Sequence, residues 1–350
     1  MDYFSDPDLI KTLPTHRAAY SDRTAWMLAE MSRLAYEPHP SELSAETSVA
    51  EIRAAVAKGD DDTALTALIQ KAIRQSNAPT GTTDQALSKA GFKLIRDFSV
   101  DGTDGFLAAG DPAIHAERPV VLAFRGGERC AKDVRTHLKA ALVNARGGGK
   151  VHAGFEEAYF KVAEIVESDL QMHADLPLFV CGHSLGGALA LVATRYLASA
   201  NLAATYTYGC PRVADDAFFE PVRTPVYRIV NAADAVTRLP FGYVVAIMLV
   251  GLRIVPFNGT RAVSEWIRRH FFGYTHCGNL SFLSAPPNQV DEDGIPFKGL
   301  VLKESPNIFW RVHVVLWRWI ATRGKAAVSD HSILEYCQKL EAYARRRNVR

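Results

Sequence analysis

The feature that most constrains the fold is an alternation of short apolar strands and helical segments, which begins at Gly91. Four of these segments are nearly continuous apolar runs: "RPVVLAFRGG", "LPLFV", "ATYTYG" and "VYRIVN". A strand without polar alternation is buried on both faces, which is typical of a parallel sheet covered by helices. The sequence therefore predicts an α/β fold with a mostly parallel central sheet flanked by helices.

The sequences on both sides of this pattern are organised differently. Ser21 to Glu37 has the pattern of an amphipathic helix capped by Ser21, and residues 41–90 are alanine-rich and helical in pattern. After the last apolar strand comes a hydrophobic, aromatic and basic region without a regular period. We therefore predict a helical segment at residues 1–90, packed on an α/β domain at residues 91–350 that carries an insertion at about 240–325.

Charge and composition exclude several classes of protein. The formal net charge of +2 and the charged fraction of 22% argue against a nucleic-acid-binding protein, so no nucleic-acid partner is expected. The charge is uneven, since residues 251–350 contain 15 Lys and Arg against 8 Asp and Glu. Such a basic region is typical either of contact with an anionic surface such as lipid or of a solvated basic face.

Cysteine usage and the N-terminus bear on the compartment. The 5 cysteines are scattered and lack CxxC spacing, which favours free thiols over a disulfide framework or a zinc site. No secretory signal is visible, and the longest apolar run, Phe241 to Leu252, is shorter than the ~18–20 residues of a membrane span. We expect a cytoplasmic protein without a transmembrane segment, although secretion without a signal peptide would leave the same sequence.

The stretch "VCGHSLGGALALVATRYLA" carries the candidate nucleophile, Ser184. Its Gly-x-Ser-x-Gly core arises by chance in about one chain in ten of this length, so the motif alone is weak. The setting is more specific, because a buried strand precedes Ser184 and a helix follows it, as in a nucleophile elbow. Gly182 and Gly186 lack the Cβ atoms that would clash in so tight a turn. The start of the helix also offers free N–H groups to a developing oxyanion.

A serine nucleophile needs a base and an orienting carboxylate. After a nucleophile elbow, the expected chain order is Ser, then Asp or Glu at a strand end, then His. Asp234 follows the strand "VYRIVN" and so has the position expected of the acid. Asp215 and Asp216 are rivals, but they lie in a loop before helical sequence and are interpreted as capping or surface carboxylates. Asp234 is therefore the preferred candidate.

Four histidines downstream of Asp234 are candidates for the base: His270, His276, His313 and His331. We expect His313 to be packed within an apolar segment, and His270 follows two arginines that would depress its basicity. His276 and His331 remain. Only His331 lies in a loop directly before a C-terminal helix, which is where a fold of this topology is expected to carry the base.

These motifs occur in the order found in class 3 lipases, and the chain resembles this fungal-type lipase family of the α/β-hydrolase superfamily over roughly residues 92–340. The matching stretches are "VVLAFRGG", "VHAGFEEAY", "VCGHSLGGALA", "TYGCPRVADDAFF", "VYRIVNAADAVTRLP", "GYTHCGNLSFL" and "DHSILEYCQKL". Each is common alone, but the combination is highly specific. The resemblance implies an α/β-hydrolase fold.

Carried over residue by residue, the resemblance implies Ser184 as nucleophile, Asp234 as orienting acid and His331 as general base. It assigns the oxyanion-hole donors to the backbone N–H groups of Gly127 and Leu185. His276 matches a family histidine that is usually not the base.

The sequence also departs from the family. Gly127 stands where the family normally has Thr or Ser, so the backbone donor is kept while a hydroxyl that could steady it is lost. Val134 and His137 stand where the family tends to have Trp and Asp. His152 and His183 occupy family positions, and we interpret both as supports for the loop around the serine.

The function that the resemblance implies is hydrolysis of acylglycerol esters through an acyl-enzyme, with no metal or organic cofactor. Pro306 to Lys325 combines a wide apolar arc containing tryptophans with a narrow basic stripe. This pattern fits transient docking at a lipid–water interface about as well as a buried helix over the sheet. Phe241 to Leu252 fits a plain core segment best, and it also fits the lining of an acyl pocket or part of a lid. The resemblance implies a second lid candidate at Glu128 to about Ala140. The alternatives are a phospholipase A1, a simple carboxylesterase and, from a different class, an inactive hydrolase fold that binds membranes.

Overall fold

The computed structural model describes most of the chain, in several separate ranges. They are residues 2–10, 19–37, 81–127, 142–198, 201–240 and 273–348, with the single positions 53, 56 and 66. Several predicted features lie outside the described residues. These are most of the helical region at 41–90, the first part of a helix predicted from Cys130 to Asn144, both lid candidates and His270.

A mixed sheet of eight strands forms the centre of the described part of the chain, in the order β1-β2-β3-β6-β7-β8-β9-β10. Strands β3 to β9 of this sheet pair in parallel, while β1, β2 and β10 join antiparallel at its two edges. The strands are β1 Phe92–Val100, β2 Thr103–Gly110, β3 Val120–Phe124, β6 Leu178–His183, β7 Leu202–Tyr208, β8 Val226–Asn231, β9 Asn279–Leu283 and β10 Leu302–Glu304. A separate hairpin pairs β4 Leu142–Asn144 with β5 Lys150–His152.

Helices cover both faces of the sheet. The helices are α1 Pro7–Ile10, α2 Asp22–Leu34, α3 Gly81–Lys89, α4 Ala153–Gln171, α5 Leu185–Tyr196, α6 Asp216–Phe219, α7 Ile308–Ala321, α8 Ala326–Ser329 and α9 Ile333–Asn348, with a 3-10 turn at Val236–Arg238. On one face α2 and α9 pack against alternate residues of β2 to β8, and on the other face α4 and α5 pack against the residues between them. The predicted α/β-hydrolase fold, with a mostly parallel sheet flanked by helices, is confirmed.

The N-terminal helix α2 is part of the core. Ser21 caps it as predicted, because the Ser21 hydroxyl accepts a 3.3 Å hydrogen bond from the Thr24 N–H. Trp26 and Met27 are fully buried in the cluster that also contains Tyr336 of α9. This helix therefore covers one face of the sheet.

Two parts of the structure differ from the sequence-based expectation. Residues 142–144, expected to end a helix, form strand β4 instead. The region after residue 240, in which no strand was expected, contributes β9 and β10 to the sheet. Strand β9, "NLSFL", has only five residues, which is too short for a period-2 pattern to stand out from its surroundings.

Helix α7 lies over β8 and β9. An ordinary surface helix buries its apolar side, whereas α7 exposes most of its apolar side and directs its basic stripe toward the protein. Its inward stripe, Trp310, Arg311, Val314, Val315 and Arg318, is half-buried against Val230, Leu280, Phe282 and Asp330. Its other side is exposed and mostly apolar. That side consists of Ile308, Phe309, Val312, His313, Leu316, Trp317, Trp319 and Ile320. His313, expected to be packed, is exposed because its ring lies on the solvent side of this helix.

Within the described residues, no helix combines the length and apolarity needed to cross a bilayer.

Candidate active site

Ser184 lies at the sharp turn between β6 and α5. Its backbone φ of 57° and ψ of −123° belong to a region that residues other than glycine rarely occupy, and its side chain is fully buried. The turn closes because two glycines allow backbone contact. A Cβ atom on Gly182 would overlap the Gly186 carbonyl, and one on Gly186 would overlap the Phe124 carbonyl. The sequence Gly-x-Ser-x-Gly is thus what this turn requires.

Ser184, His331 and Asp234 form one continuous hydrogen-bonded series. His331 Nε2 lies 2.9 Å from Ser184 Oγ, and His331 Nδ1 lies 3.0 and 2.9 Å from Asp234 Oδ1 and Oδ2. All three residues are at least 95% buried. Because a carboxylate accepts hydrogen bonds, Nδ1 carries the proton, which leaves Nε2 to accept from the serine hydroxyl. This arrangement allows Nε2 to take a proton from Ser184.

The end of β8 positions the Asp234 carboxylate. Oδ1 accepts a 2.9 Å hydrogen bond from the Val236 N–H, and Oδ2 accepts a 2.7 Å bond from the hydroxyl of Tyr336 on α9. Burial, with the nearby Asp234 charge, raises the pKa of Tyr336 well above its usual value, so its hydroxyl stays protonated and remains a donor. Asp234 is therefore fully hydrogen-bonded before it orients His331.

A second set of buried polar groups holds the loop that carries His331. Asp330 directly precedes His331 and is fully buried. The Asp330 carboxylate accepts hydrogen bonds from the Ala233 N–H and from the Arg318 guanidinium of α7. The Asp330 carbonyl accepts from Asn231 Nδ2 at 2.9 Å, and Asn231 Oδ1 accepts from the buried Lys339 ammonium at 2.8 Å. These contacts tie the histidine loop to the end of β8, to α7 and to α9.

Three kinds of comparison relate this chain to known proteins. Residues 121–244 match the family model described as Lipase (class 3), and this stretch contains Ser184 and Asp234. That stretch belongs to the class 3 lipase family. The family prediction made from the sequence motifs is thereby confirmed.

The first curated relatives each match less than half of this chain. It is 37% identical over 159 residues to the toxin TseL of Vibrio cholerae, covering 42% of this chain and 24% of the toxin. It is 32% identical over 157 residues to the secreted mono- and diacylglycerol lipase 1 of Fusarium solani, covering 41% and 47%. A solved lipase from Rhizopus microsporus var. chinensis has 28% identity and a TM-score of 0.42, with 57% and 64% covered. The chain thus spans about a quarter to a half of the curated relatives it matches first.

His183, one residue before Ser184, connects the turn that carries Ser184 to the loop that carries His331. Its Nε2 lies 2.7 Å from the His331 carbonyl, so Nε2 is the donor, and Nδ1 accepts a 2.8 Å hydrogen bond from the hydroxyl of Tyr36. Burial, and then the charge of His331, hold the pKa of His183 well below its ordinary value, so the ring stays neutral. This environment agrees with the supporting role predicted for His183.

The other candidates do not join the hydrogen-bonded series within the described residues. His276 lies half-buried before β9, and burial followed by the charges of Arg228 and Arg212 lowers its pKa well below the ordinary value. Asp215 caps α6 by accepting from the Phe218 N–H at 2.9 Å, which is the capping role predicted for it. His152 is buried, and its ring packs against Phe155.

The two predicted oxyanion donors lie on neighbouring segments. Leu185 is the first residue of α5, whose N-terminal N–H groups carry the positive end of the helix dipole. Gly127 ends the described segment that follows β3. That segment passes the start of α5, because Gly186 is in backbone contact with Phe124 and Arg125. Their role as oxyanion donors stays a prediction.

Several residues of the site were missed at the level of sequence. Tyr336, Asn231, Asp330 and Arg318 were given no part in the site, although all of them contact it or its supporting loop. Asp330 and Tyr336 do carry a signal, since one directly precedes His331 and the other lies in the helix that follows it. Arg318 carries none, because its pairing with Asp330 depends on how α7 packs.

Proposed function

We propose that this protein hydrolyses carboxylic ester bonds of acylglycerols, with Ser184 as nucleophile, His331 as general base and Asp234 as the orienting acid. The observation that carries the proposal is the buried hydrogen-bonded series from Ser184 through His331 to Asp234, located on a strained strand-to-helix turn. Neutral serine is inert, and this geometry is the general means of activating it. The family match over residues 121–244 supports the same chemistry.

The reaction proceeds in two halves. Ser184 Oγ attacks the ester carbonyl carbon while its proton moves to His331 Nε2, and the carbonyl π electrons go to the oxygen as an oxyanion. When the oxyanion collapses, the alcohol leaves and takes the proton from Nε2. Water then attacks the acyl-serine and gives a proton to Nε2, and the second collapse releases the carboxylic acid and returns the proton to Ser184 Oγ.

Two groups complete this mechanism. The backbone N–H groups of Gly127 and Leu185 stabilise the oxyanion, a task that suits the first N–H of a helix. Asp234 stabilises the imidazolium that forms on His331 and keeps Nδ1 protonated. The hydrogen bonds from Tyr336 and Val236 fix the carboxylate for this purpose.

A water-insoluble substrate is favoured by helix α7. Phe309 is 83% exposed and Trp317 is 60% exposed, and the rest of the outward side of α7 is also largely apolar. Exposed apolar patches of this kind mark interaction surfaces, and an amphipathic helix with tryptophans suits the boundary between lipid and water. We infer that α7 makes transient contact with the lipid–water interface from which the substrate is drawn.

A panel of esters tests the proposal. Wild-type protein and the Ser184→Ala variant are assayed on p-nitrophenyl butyrate, tributyrin, triolein and phosphatidylcholine. We expect wild type to hydrolyse the acylglycerols, with a rate increase once the substrate forms an emulsion, and Ser184→Ala to be inactive.

The panel also separates the alternatives. Turnover limited to the short soluble ester, with no increase at emulsion formation, would identify a carboxylesterase and contradict the lipid assignment. Preference for phosphatidylcholine would identify a phospholipase. Failure of the wild-type protein on every ester would leave a hydrolase fold without activity and would overturn the proposal.

A further inference from the structure

A group of arginines lies beside β8, on the face of the sheet that α7 covers. We define the arginine cluster as Arg212, Arg228, Arg238 and Arg311. Arg228 lies in β8 opposite Leu280 of β9, and Arg311 lies on the inward stripe of α7, with its guanidinium 5.9 Å above the Phe282 ring. Arg212 Nη1 donates 2.6 Å hydrogen bonds to the carbonyls of Arg238 and Pro240, which brings the remaining two arginines together.

The most deeply buried member of the cluster has an unsatisfied donor. Arg228 is only 7% exposed, and its Nε is buried without a hydrogen-bond partner in the described structure. Arg311 Nε is buried without a partner in the same way. Buried charges in proteins are normally paired, because removing a charge from water without compensation is costly. Within the described residues Arg228 is an exception, and the half-buried Arg311 beside it also has one donor without a partner.

The charges of the cluster also repel each other. Burial, followed by the charges of Arg311 and Arg212, lowers the pKa of Arg228 to about 10, so it remains protonated at neutral pH. Burial, with the charge of Arg311, likewise lowers the pKa of Arg212. Within the described residues, no carboxylate forms an ion pair with any member of the cluster. An arrangement that stores this much repulsion costs stability unless an anion offsets it.

We propose that the arginine cluster is a binding site for a phosphate group. The cluster draws guanidinium groups from a strand, a helix and a loop, and several such donors suit a phosphate, whose oxygens can accept from more than one arginine. The graded exposure supports entry from solvent, since Arg228 is buried, Arg212 and Arg311 are half-buried and Arg238 is exposed. The phosphate belongs either to a phospholipid headgroup or to free inorganic phosphate.

The position of Arg311 connects the site with α7. The same helix directs Arg311 inward and its apolar side outward, so a lipid surface that contacts α7 would bring headgroups close to the cluster. The cluster contains none of Ser184, His331 and Asp234. Binding of phosphate is therefore a property that can be tested without ester hydrolysis.

The test measures thermal stability with inorganic phosphate added, against sodium chloride at equal ionic strength. Stabilisation by a ligand that binds only the folded state grows with ligand concentration, and we expect an increase in Tm of about 2–4 °C for wild type. The variant Arg228→Met retains the volume and removes the buried charge. We expect it to have a higher Tm than wild type without phosphate and no response to phosphate.

A matched control uses Arg223→Gln. Arg223 is exposed just before β8 and donates to the Glu220 carbonyl, so its loss should leave the phosphate response intact. Wild-type Tm that does not change with phosphate beyond the salt control would overturn the proposal. So would an Arg228→Met variant that still responds, or one that is less stable than wild type without phosphate, since Arg228 would then have a purely structural role.

The source of the phosphate is separated in a second arm. In the Ser184→Ala background, which prevents turnover, monomeric dihexanoylphosphatidylcholine and dihexanoylglycerol are titrated against bound phosphate. Competition by the phospholipid alone supports the site and assigns it to a headgroup. If neither lipid competes while phosphate still stabilises the protein, the site is supported and assigned to the free anion. Equal competition by dihexanoylglycerol, which has no phosphate, would contradict recognition of the phosphate group.

Discussion

The hydroxyl of Tyr336 donates a 2.7 Å hydrogen bond to Oδ2 of Asp234, and the Tyr336 hydroxyl oxygen accepts a 2.9 Å bond from the Asn231 N–H. Tyr336 is fully buried in the first turn of α9, which follows the loop that carries His331. One side chain therefore connects the end of β8, the carboxylate and the C-terminal helix. The acid is held by an element that follows the base in the chain.

Replacement of Tyr336 by Phe should lower kcat about tenfold. Asp234 would lose a donor, and the Asn231 N–H would be buried without a partner, at a cost of about 1–3 kcal/mol in unfolding free energy. The kinetics of ester hydrolysis and urea unfolding measure the two effects. Tyr343→Phe on the same helix is the matched control. Unchanged kcat in Tyr336→Phe would show that this hydroxyl does not help to orient the acid.

Stability should decrease as the pH falls below about 6.5. Burial lowers the pKa of His183 and of His276 in the folded protein, whereas the unfolded chain has the ordinary value. Below that value the unfolded state binds more protons than the folded state, so unfolding becomes more favourable by about 1.4 kcal/mol per pH unit for each such histidine. Above it both states are neutral and the contribution is constant.

Urea unfolding between pH 5 and 8 checks this dependence. His183→Gln should reduce the slope below pH 6.5, because glutamine does not titrate. His313→Gln is the control, since it replaces a histidine that is exposed on the outer side of α7. A slope in His183→Gln equal to that of wild type would mean that His183 is protonated in the folded protein.

The double variant Phe309→Asp and Trp317→Asp should weaken binding to lipid vesicles more than tenfold. Each large apolar side chain contributes about 1.5–3 kcal/mol when it leaves water, and each aspartate must be kept in water. Hydrolysis of p-nitrophenyl butyrate should be unchanged, because both side chains point away from the protein. Val290→Asp, at an apolar residue that is 64% exposed outside α7, is the control. Vesicle binding equal to that of wild type would exclude α7 as the docking surface.

The pairing between α7 and the histidine loop should matter for both stability and rate. Asp330 is fully buried, and Arg318 binds its Oδ1 through Nη2 at 2.9 Å. Arg318→Met would leave the carboxylate without its cation, which should cost about 3 kcal/mol in unfolding free energy. The loop carrying His331 would then be less firmly placed, so kcat should fall while KM changes little. Arg323→Met, two residues after the end of α7, is the control. Equal stability in both variants would contradict the role given to the Arg318–Asp330 pair.

How much the sequence reveals depends on the range of the interactions involved. Ser184 and Asp234 follow buried strands, and such strands have a local signature, so their placement at one edge of the sheet was predictable. Gly182 and Gly186 were predictable for the same reason, because they belong to a short motif around Ser184. Strand β9 was missed because five residues in an irregular region carry little periodicity.

The orientation of α7 shows what a local pattern cannot decide. The sequence separates a basic stripe from an apolar arc, and a helix with two such sides fits either orientation. The choice is made by Asp330, a buried carboxylate that pairs with Arg318 and so directs the basic stripe inward. The Tyr336–Asp234 and His183–Tyr36 contacts are likewise long-range. They depend on how the fold brings distant segments together, so no local pattern in the sequence predicts them.

The most direct measurement is covalent labelling of the nucleophile. Purified protein is treated with a fluorophosphonate probe, the modified residue is located by peptide mass spectrometry, and labelling rates are compared for wild type, His331→Ala and His276→Ala. We expect a single label on Ser184, a rate lower by about 10²–10⁴-fold in His331→Ala, and a near-normal rate in His276→Ala. A label on another serine, or labelling of Ser184 that depends on His276 and not on His331, would contradict the proposed mechanism.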